Sequence, residues 1–157
     1  MENLPEILKE NGYKKIKFKI SKTQHLLIKA KINDVEGNFI LDTGASNSCV
    51  GFESIDYFNL HANDSKTRAA GAGATGMPTK VSENNNLKMG RWEYQQFDLV
   101  IFDLSHVNLA LKEFKANPVH GIIGADILQE GSAIIDYANS CVYLIKLKKI
   151  PVQSVLF

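Results

Sequence analysis

The chain has 157 residues and 17.4 kDa, with 45% apolar and 22% charged residues, 11 Gly and 4 Pro. That length predicts one globular domain, and the apolar content excludes disordered, collagen-like and low-complexity classes. Eighteen basic against 17 acidic residues give a net charge of +1, which points to neither a nucleic-acid nor a membrane partner.

The longest apolar run is the five residues Cys141 to Ile145, far short of the roughly 20 that span a bilayer. Met1 to Lys15 has no apolar leader core, so a cytoplasmic location is expected. In that compartment Cys49 and Cys141 are expected as buried free thiols rather than a bridge.

Leu4, Ile7 and Leu8 sit at helical spacing, and Asn11-Gly12 is a stop signal. Lys14 to Lys31 carries seven lysines and no acid. Within it Ile16, Phe18 and Ile20 alternate with Lys15, Lys17 and Lys19, the period of a half-buried antiparallel strand. The lysines form a solvated strand face or, as the alternative, a polyanion site. His25 to Ile32 predicts a second strand, Asn33 to Gly37 a turn, and Asn38 to Leu41 a third strand. A short helix is expected around Phe52 to Phe58, followed by a stretch at 63–76 rich in Ala, Gly, Ser and Thr. Leu87 to Gly90 and Phe97 to Phe102 predict strands. Leu104, Val107, Leu111 and Phe114 recur every three or four positions, predicting a helix over 104–114. Val119 to Ile123 is a short buried strand running into a helical turn at Gly124 to Leu128, with Asp126 near its start, where the helix dipole favours an acid. Ala133 to Tyr137 and Cys141 to Leu147 close the chain as strands joined by Ala138-Asn139-Ser140. Many short strands with turn punctuation make a mainly β domain.

Gly71-Ala72-Gly73-Ala74-Thr75-Gly76 matches the letters of a dinucleotide fingerprint. That chemistry needs a buried strand before it and a helix after it, so that a helix N-terminus faces the phosphates. Neither Ser65 to Ala70 nor Pro78 to Val81 supplies them, and Met77 stands where a phosphate loop needs Lys. A hairpin tip is the better reading of these small residues. His25, His61, His106 and His120 share no metal-ligand spacing, so no metal is expected. Gly44 to Ser48 misses the nucleophile elbow at its last position.

In Phe39-Ile40-Leu41-Asp42-Thr43-Gly44-Ala45-Ser46 an apolar strand enters the core and ends at a carboxylate, which is costly there unless hydrogen-bonded or shared. Taken alone, the octet fits a turn start and a functional acid equally well. Val119-His120-Gly121-Ile122-Ile123-Gly124-Ala125-Asp126-Ile127-Leu128 repeats the pattern of an apolar strand ending at glycine, and Ala133 to Tyr137 follows. This order resembles the retropepsin-like aspartic proteases over about residues 25–147. It is most similar to bacterial single-domain members and to the retropepsin domain of DNA-damage-inducible ubiquitin-shuttle proteins.

The resemblance implies a closed β-barrel with a glycine-rich flap hairpin and one or two short helices. It implies an aspartic endopeptidase with no cofactor, acting on a peptide or protein substrate. Such chemistry needs two carboxylates sharing a proton. One Asp-Thr-Gly per chain therefore implies a homodimer that sets Asp42 against its copy. Thr43 would brace the two loops across the two-fold axis, Gly44 would admit substrate backbone, and Ala45 and Ser46 would complete the loop. Gly71, Ala72, Gly73, Ala74, Thr75, Gly76 and Met77 would form the flap, and Ile122, Ile123 and Gly124 the second active-site strand. Ser46 and Ala125 replace the acid and arginine of retroviral members, removing an ion pair that braces the loop. Ala45 lacks the hydroxyl that members with Ser there can aim at the carboxylate, which favours work at mildly acidic or neutral pH. The alternative is a silent retropepsin-fold module that grips extended peptides by strand addition. Residues 1–24 would pack on the domain as an extension, and the 148–157 tail could supply a strand at the dimer interface.

Overall fold

Asn33 and Asp34 both adopt left-handed backbone, φ +51° and +67°, the geometry of a two-residue hairpin turn whose twist matches its flanking strands. They join β3 (Leu26–Ile32) to β4 (Val35–Leu41) in full register from Ile32↔Val35 to Leu26↔Leu41. The turn expected at 33–37 thus shrinks to two residues, because Asn and Asp tolerate positive φ and release Val35 to Gly37 into the strand. The computed structural model describes residues 3–64 and 78–147.

Before this hairpin come α1 (Leu4–Glu10), β1 (Lys14–Lys17) and β2 (Lys19–Ile20); after it come β5 (Cys49–Gly51), a 3-10 turn at Phe52–Ser54 and β6 (Asn63–Asp64). A long hairpin of β7 (Lys80–Met89) and β8 (Trp92–Phe102) precedes α2 (Ser105–Glu113), β9 (Gly121–Ile123), α3 (Ala125–Glu130), β10 (Ile134–Asp136) and β11 (Cys141–Leu144). The main sheet runs β2-β3-β4-β9-β5-β8-β7-β6, and β7 also pairs with β3. That last pairing, Lys31↔Lys88 and Ile32↔Leu87, closes β3, β4, β9, β5, β8 and β7 into a six-stranded barrel, which removes the free edges of an open sheet.

Barrel closure makes an interior of Ile28, Ile32, Phe39, Leu41, Val50, Leu87, Phe97, Ile101 and Ile123, each almost fully buried. A second apolar cluster lies outside the wall, where Leu104 and Leu111 of the α2 region cover Ile40, Cys49, Val119 and Ile122. Asn108 fixes α2 in place: its amide donates to the Val119 carbonyl (3.2 Å) and accepts from the Val119 N–H (2.8 Å). β4 and β9 are therefore buried on both faces, which explains their unbroken apolar runs.

Only parts of the β7–β8 hairpin are expected from its apolar residues, because its middle is polar. Ser82 and Asn85 are buried there. The Asn85 amide donates to Ser82 Oγ (3.0 Å) and its carbonyl accepts from the Asn33 amide (2.9 Å), so hydrogen bonds replace apolar contact. The register shifts around Asn85.

The first strand also differs from its alternation. Ile16 and Phe18 are buried, whereas Ile20 is 42% exposed. The chain changes sheets at Phe18: β1 pairs with β11 and β2 with β3, so Ile20 belongs to a different wall. The helix expected around 52–58 is a single 3-10 turn. Both cysteines are free and buried.

Candidate active site

β4 and β9 run parallel in the register Leu41↔Ile123, so both strands end side by side and Asp42 emerges beside Gly124. The Asp42 N–H donates to the Ile123 carbonyl (2.9 Å), extending the strand pairing by one bond. The chain then folds back on itself. The Gly44 N–H donates to Asp42 Oδ1 (2.8 Å) and the Ala45 N–H to the Asp42 carbonyl (3.3 Å). Asp42 is half-buried, Ala45 likewise, and Thr43, Gly44 and Ser46 are exposed. The carboxylate is thus oriented by its own loop on a residue that stays partly exposed.

The loop is tied to the second strand at two levels. The Ala125 N–H donates to the Ala45 carbonyl (2.7 Å). A Cβ at Gly124 would lie 2.5 Å from that carbonyl oxygen, so only glycine lets the two backbones meet. Gly121 is equally constrained, since a Cβ there would overlap the Cys49 carbonyl. The glycines in Gly121-Ile122-Ile123-Gly124 thus mark close approach between chain segments.

The deeper tie is one that sequence reasoning missed. Both carboxylate oxygens of Asp126 accept the Ser48 N–H (3.0 Å each), and Oδ1 also accepts the Ser48 hydroxyl (2.7 Å). The same Ser48 Oγ accepts the Gly124 N–H (2.9 Å). Ser48 is 1% exposed and Asp126 half-buried, so this is a partly buried, charge-assisted network between the end of the Asp42 loop and the start of α3. The helix dipole alone accounts for an acid at Asp126, yet its carboxylate is turned toward the loop. An available signal was the pairing of a small hydroxyl six residues after Asp42 with an acid two residues after Gly124. This network occupies the bracing role left open by Ser46 and Ala125.

Cys49, next to Ser48, offers no competing chemistry. Burial pushes its thiol up to about 12, and the charges of Asp126 and Asp42 add to the rise against a backbone hydrogen bond at Ile122. A thiol held neutral this way is not a nucleophile. Among the described residues no three His, Cys, Asp or Glu side chains gather where they could hold a metal ion, and no described helix is long and apolar enough to cross a membrane.

The structure thus brings Asp42, Thr43, Gly44, Ala45 and Ser46 together with Ile122, Ile123 and Gly124. The segment expected as the flap, Gly71 to Met77, lies outside the described residues, as does the 148–157 tail. On either side of that first segment, β6 and β7 pair antiparallel, Asn63↔Val81 and Asp64↔Lys80.

A closed six-stranded barrel, few helices and an Asp-Thr-Gly loop beside an Ile-Ile-Gly strand define the retropepsin-like class of aspartic proteases. The aspartyl protease family model matches residues 28–127, and the chain belongs to that family. Solved structures share the fold. A retropepsin-like aspartic protease from Rickettsia conorii is 18% identical with a TM-score of 0.55, over 85% of this chain and 90% of that one. EIAV protease complexed with the inhibitor HBY-793 is 21% identical with a TM-score of 0.52, over 71% and 91%. The retroviral protease-like domain of Ddi1 from Leishmania major is 15% identical with a TM-score of 0.51, over 82% and 98%. No curated protein matches the chain.

Proposed function

We propose that the chain is an aspartic endopeptidase whose active centre forms when two copies place Asp42 against Asp42 across a two-fold axis. The observation that carries the reading is the unbroken Asp42-Thr43-Gly44 loop, tied to Ile123 and partly exposed, in a chain of the aspartyl protease family. Each copy supplies one such carboxylate, and the reaction needs two that share a proton.

The chemistry then follows from the pair. The ionised carboxylate takes a proton from water as the water oxygen attacks the scissile carbonyl carbon. The protonated partner gives its proton to the carbonyl oxygen, leaving a neutral tetrahedral diol. On collapse the carboxylate left ionised takes a proton from one diol hydroxyl, the C–N bond breaks, and the carboxyl protonated in the first step gives its proton to the departing amine nitrogen. The nucleophile is water, so no acyl-enzyme forms. In this reading Thr43 braces the paired loops and Gly44 admits substrate backbone. Gly71 to Met77 cover the cleft and exclude water, and Ala45 leaves the pair suited to mildly acidic or neutral pH.

The test is cleavage of an unstructured protein mixture by wild type and Asp42→Asn, with dimer mass measured by analytical ultracentrifugation. Wild type cuts between pH 4 and 8; Asp42→Asn keeps the dimer and loses at least about 10³-fold in rate, the scale of acid–base catalysis. Peptide binding without cleavage by wild type identifies a silent module instead, and a strictly monomeric protein overturns the assembly.

A further inference from the structure

The lysine-rich wall of the barrel holds a groove of about 680 Å³ on the far side of β3 from the interior. Five lysines line it: Lys17 and Lys19 from β1–β2, Lys29 and Lys31 from β3, and Lys88 from β7. Glu36 is the one acid among its lining residues, so the lining carries five positive charges against one negative, a net +4. The whole chain carries only +1. The rest of the chain therefore carries a net −3, and positive charge is concentrated in this one concavity.

The groove exists because β3 loses its neighbour there. β2 pairs with β3 only at Leu26 and Leu27, and β7 pairs only at Lys31 and Ile32. Between those ends, Ile28 to Ala30 have a ladder partner on the β4 side alone. Half-buried Leu27 and exposed Pro118 add apolar surface to the lining. Among these five lysines one ion pair is present, Lys88 Nζ to Asp34 Oδ1 at 4.0 Å, between exposed side chains.

We infer that this groove binds an acidic polypeptide segment in extended conformation, with carboxylates on the lysines and apolar side chains against Leu27 and Pro118. Spacing favours that occupant. Lys17 and Lys19 line the groove from β1 and β2, and Lys29 and Lys31, both exposed on β3, are two residues apart. On a strand that spacing sets side chains about 6.6–6.8 Å apart on one face, the repeat of alternate side chains on an extended peptide. A nucleic acid fits less well: single strands are held by exposed aromatic stacking platforms, and the aromatic side chain in the lining, Phe18, is 4% exposed. A bilayer surface is flat, whereas this site is concave. The inference goes beyond proteolysis and does not depend on it. One end of the groove nevertheless lies near the Asp42 loop, since Leu27 pairs with Ile40, two residues before Asp42.

The test uses the full chain as Asp42→Asn, so that no cleavage confuses the readout. A fluorescent peptide alternating Glu and Leu is titrated in, beside the same peptide with Lys for Glu, oligo-dT and phosphatidylserine vesicles. The acidic peptide binds and the basic one does not. Binding weakens about tenfold or more in Lys29→Glu/Lys31→Glu and separately in Lys17→Glu/Lys19→Glu, as expected for reversing two charges at a shared site. Lys112→Glu, on α2 away from the groove, leaves it unchanged, and salt at about 0.5 M weakens it. Thermal unfolding confirms that each variant folds; the two charge-reversed pairs lie on separate strands, so one remains informative if the other fails. The proposal is overturned by absence of acidic-peptide binding, by equal loss in Lys112→Glu, or by oligo-dT or vesicles binding through these lysines more tightly than the peptide.

Discussion

β4 and β3 are adjacent strands of one barrel, yet they live in different environments. β4 is packed inside by the barrel core and outside by α2, and it ends at Asp42. β3 is packed on its inner face and presents Lys29 and Lys31 on the outer one. The difference shows where rigidity is concentrated. The strand that aims a carboxylate is held on both faces and by hydrogen bonds to β9. The next strand round the barrel leaves its outer face exposed at Lys29 and Lys31.

If that contrast is right, damage near Asp42 is severe and damage on the lysine wall is slight. Asp42→Asn has the largest effect, the loss of at least about 10³-fold in cleavage rate with the fold retained. Gly124→Ala follows: its Cβ would meet the Ala45 carbonyl at 2.5 Å, and forcing the backbones apart costs about 3 kcal/mol in chemical denaturation. Cleavage falls as well, because the same contact sets the height of the Asp42 loop.

Ser48→Ala comes next. It strips Asp126 of its hydroxyl donor and the Gly124 N–H of its acceptor, and leaving the buried Gly124 N–H unpaired costs about 2 kcal/mol. Ser48→Thr, which keeps the hydroxyl, recovers part of that loss. A Ser48→Ala protein as stable and active as wild type would show that the brace is dispensable.

A smaller effect is expected from pH at His120. Its Nδ1 accepts the Asn38 N–H (3.0 Å), and the ring stacks on Tyr57 with centroids 4.7 Å apart. Burial holds its pKa below the usual value of 6.5, against the charge of Glu53. The unfolded chain therefore binds the proton more readily than the folded one. Stability is full above about pH 6.5 and declines as pH falls through that value. Melting temperatures measured down to pH 5 should fall more in wild type than in His120→Gln. Smallest of all, Lys29→Gln should move stability by no more than about 0.5 kcal/mol, since the side chain is solvated. A large loss there would erase the distinction between the two strands.

Much of the site was legible in sequence because its parts are local. Leu41-Asp42-Thr43-Gly44 and Ile122-Ile123-Gly124 are short runs whose order along the chain is itself a signature. The Ser48–Asp126 pair was not legible as a pair. Its members are 78 residues apart, and each has an ordinary local explanation, a loop hydroxyl and a helix-start acid. The polar middle of β7–β8 was hidden for a related reason: Ser82 and Asn85 are buried through hydrogen bonds, which hydrophobic alternation does not register. The lysine run could be seen, but not its groove, since a cavity depends on where β1 leaves β3.

The amino-acid order determined the class of fold, the Asp-Thr-Gly loop and the apolar strands that carry it, because alternation, glycine placement and turn chemistry act between near neighbours. Tertiary structure alone decided that β7 returning to β3 is the pairing that closes the expected barrel, that Asp126 clamps Ser48, and that five lysines from three stretches of chain line one groove. Those outcomes depend on contacts between residues far apart in sequence, and such contacts exist only once the core has set the strands in register.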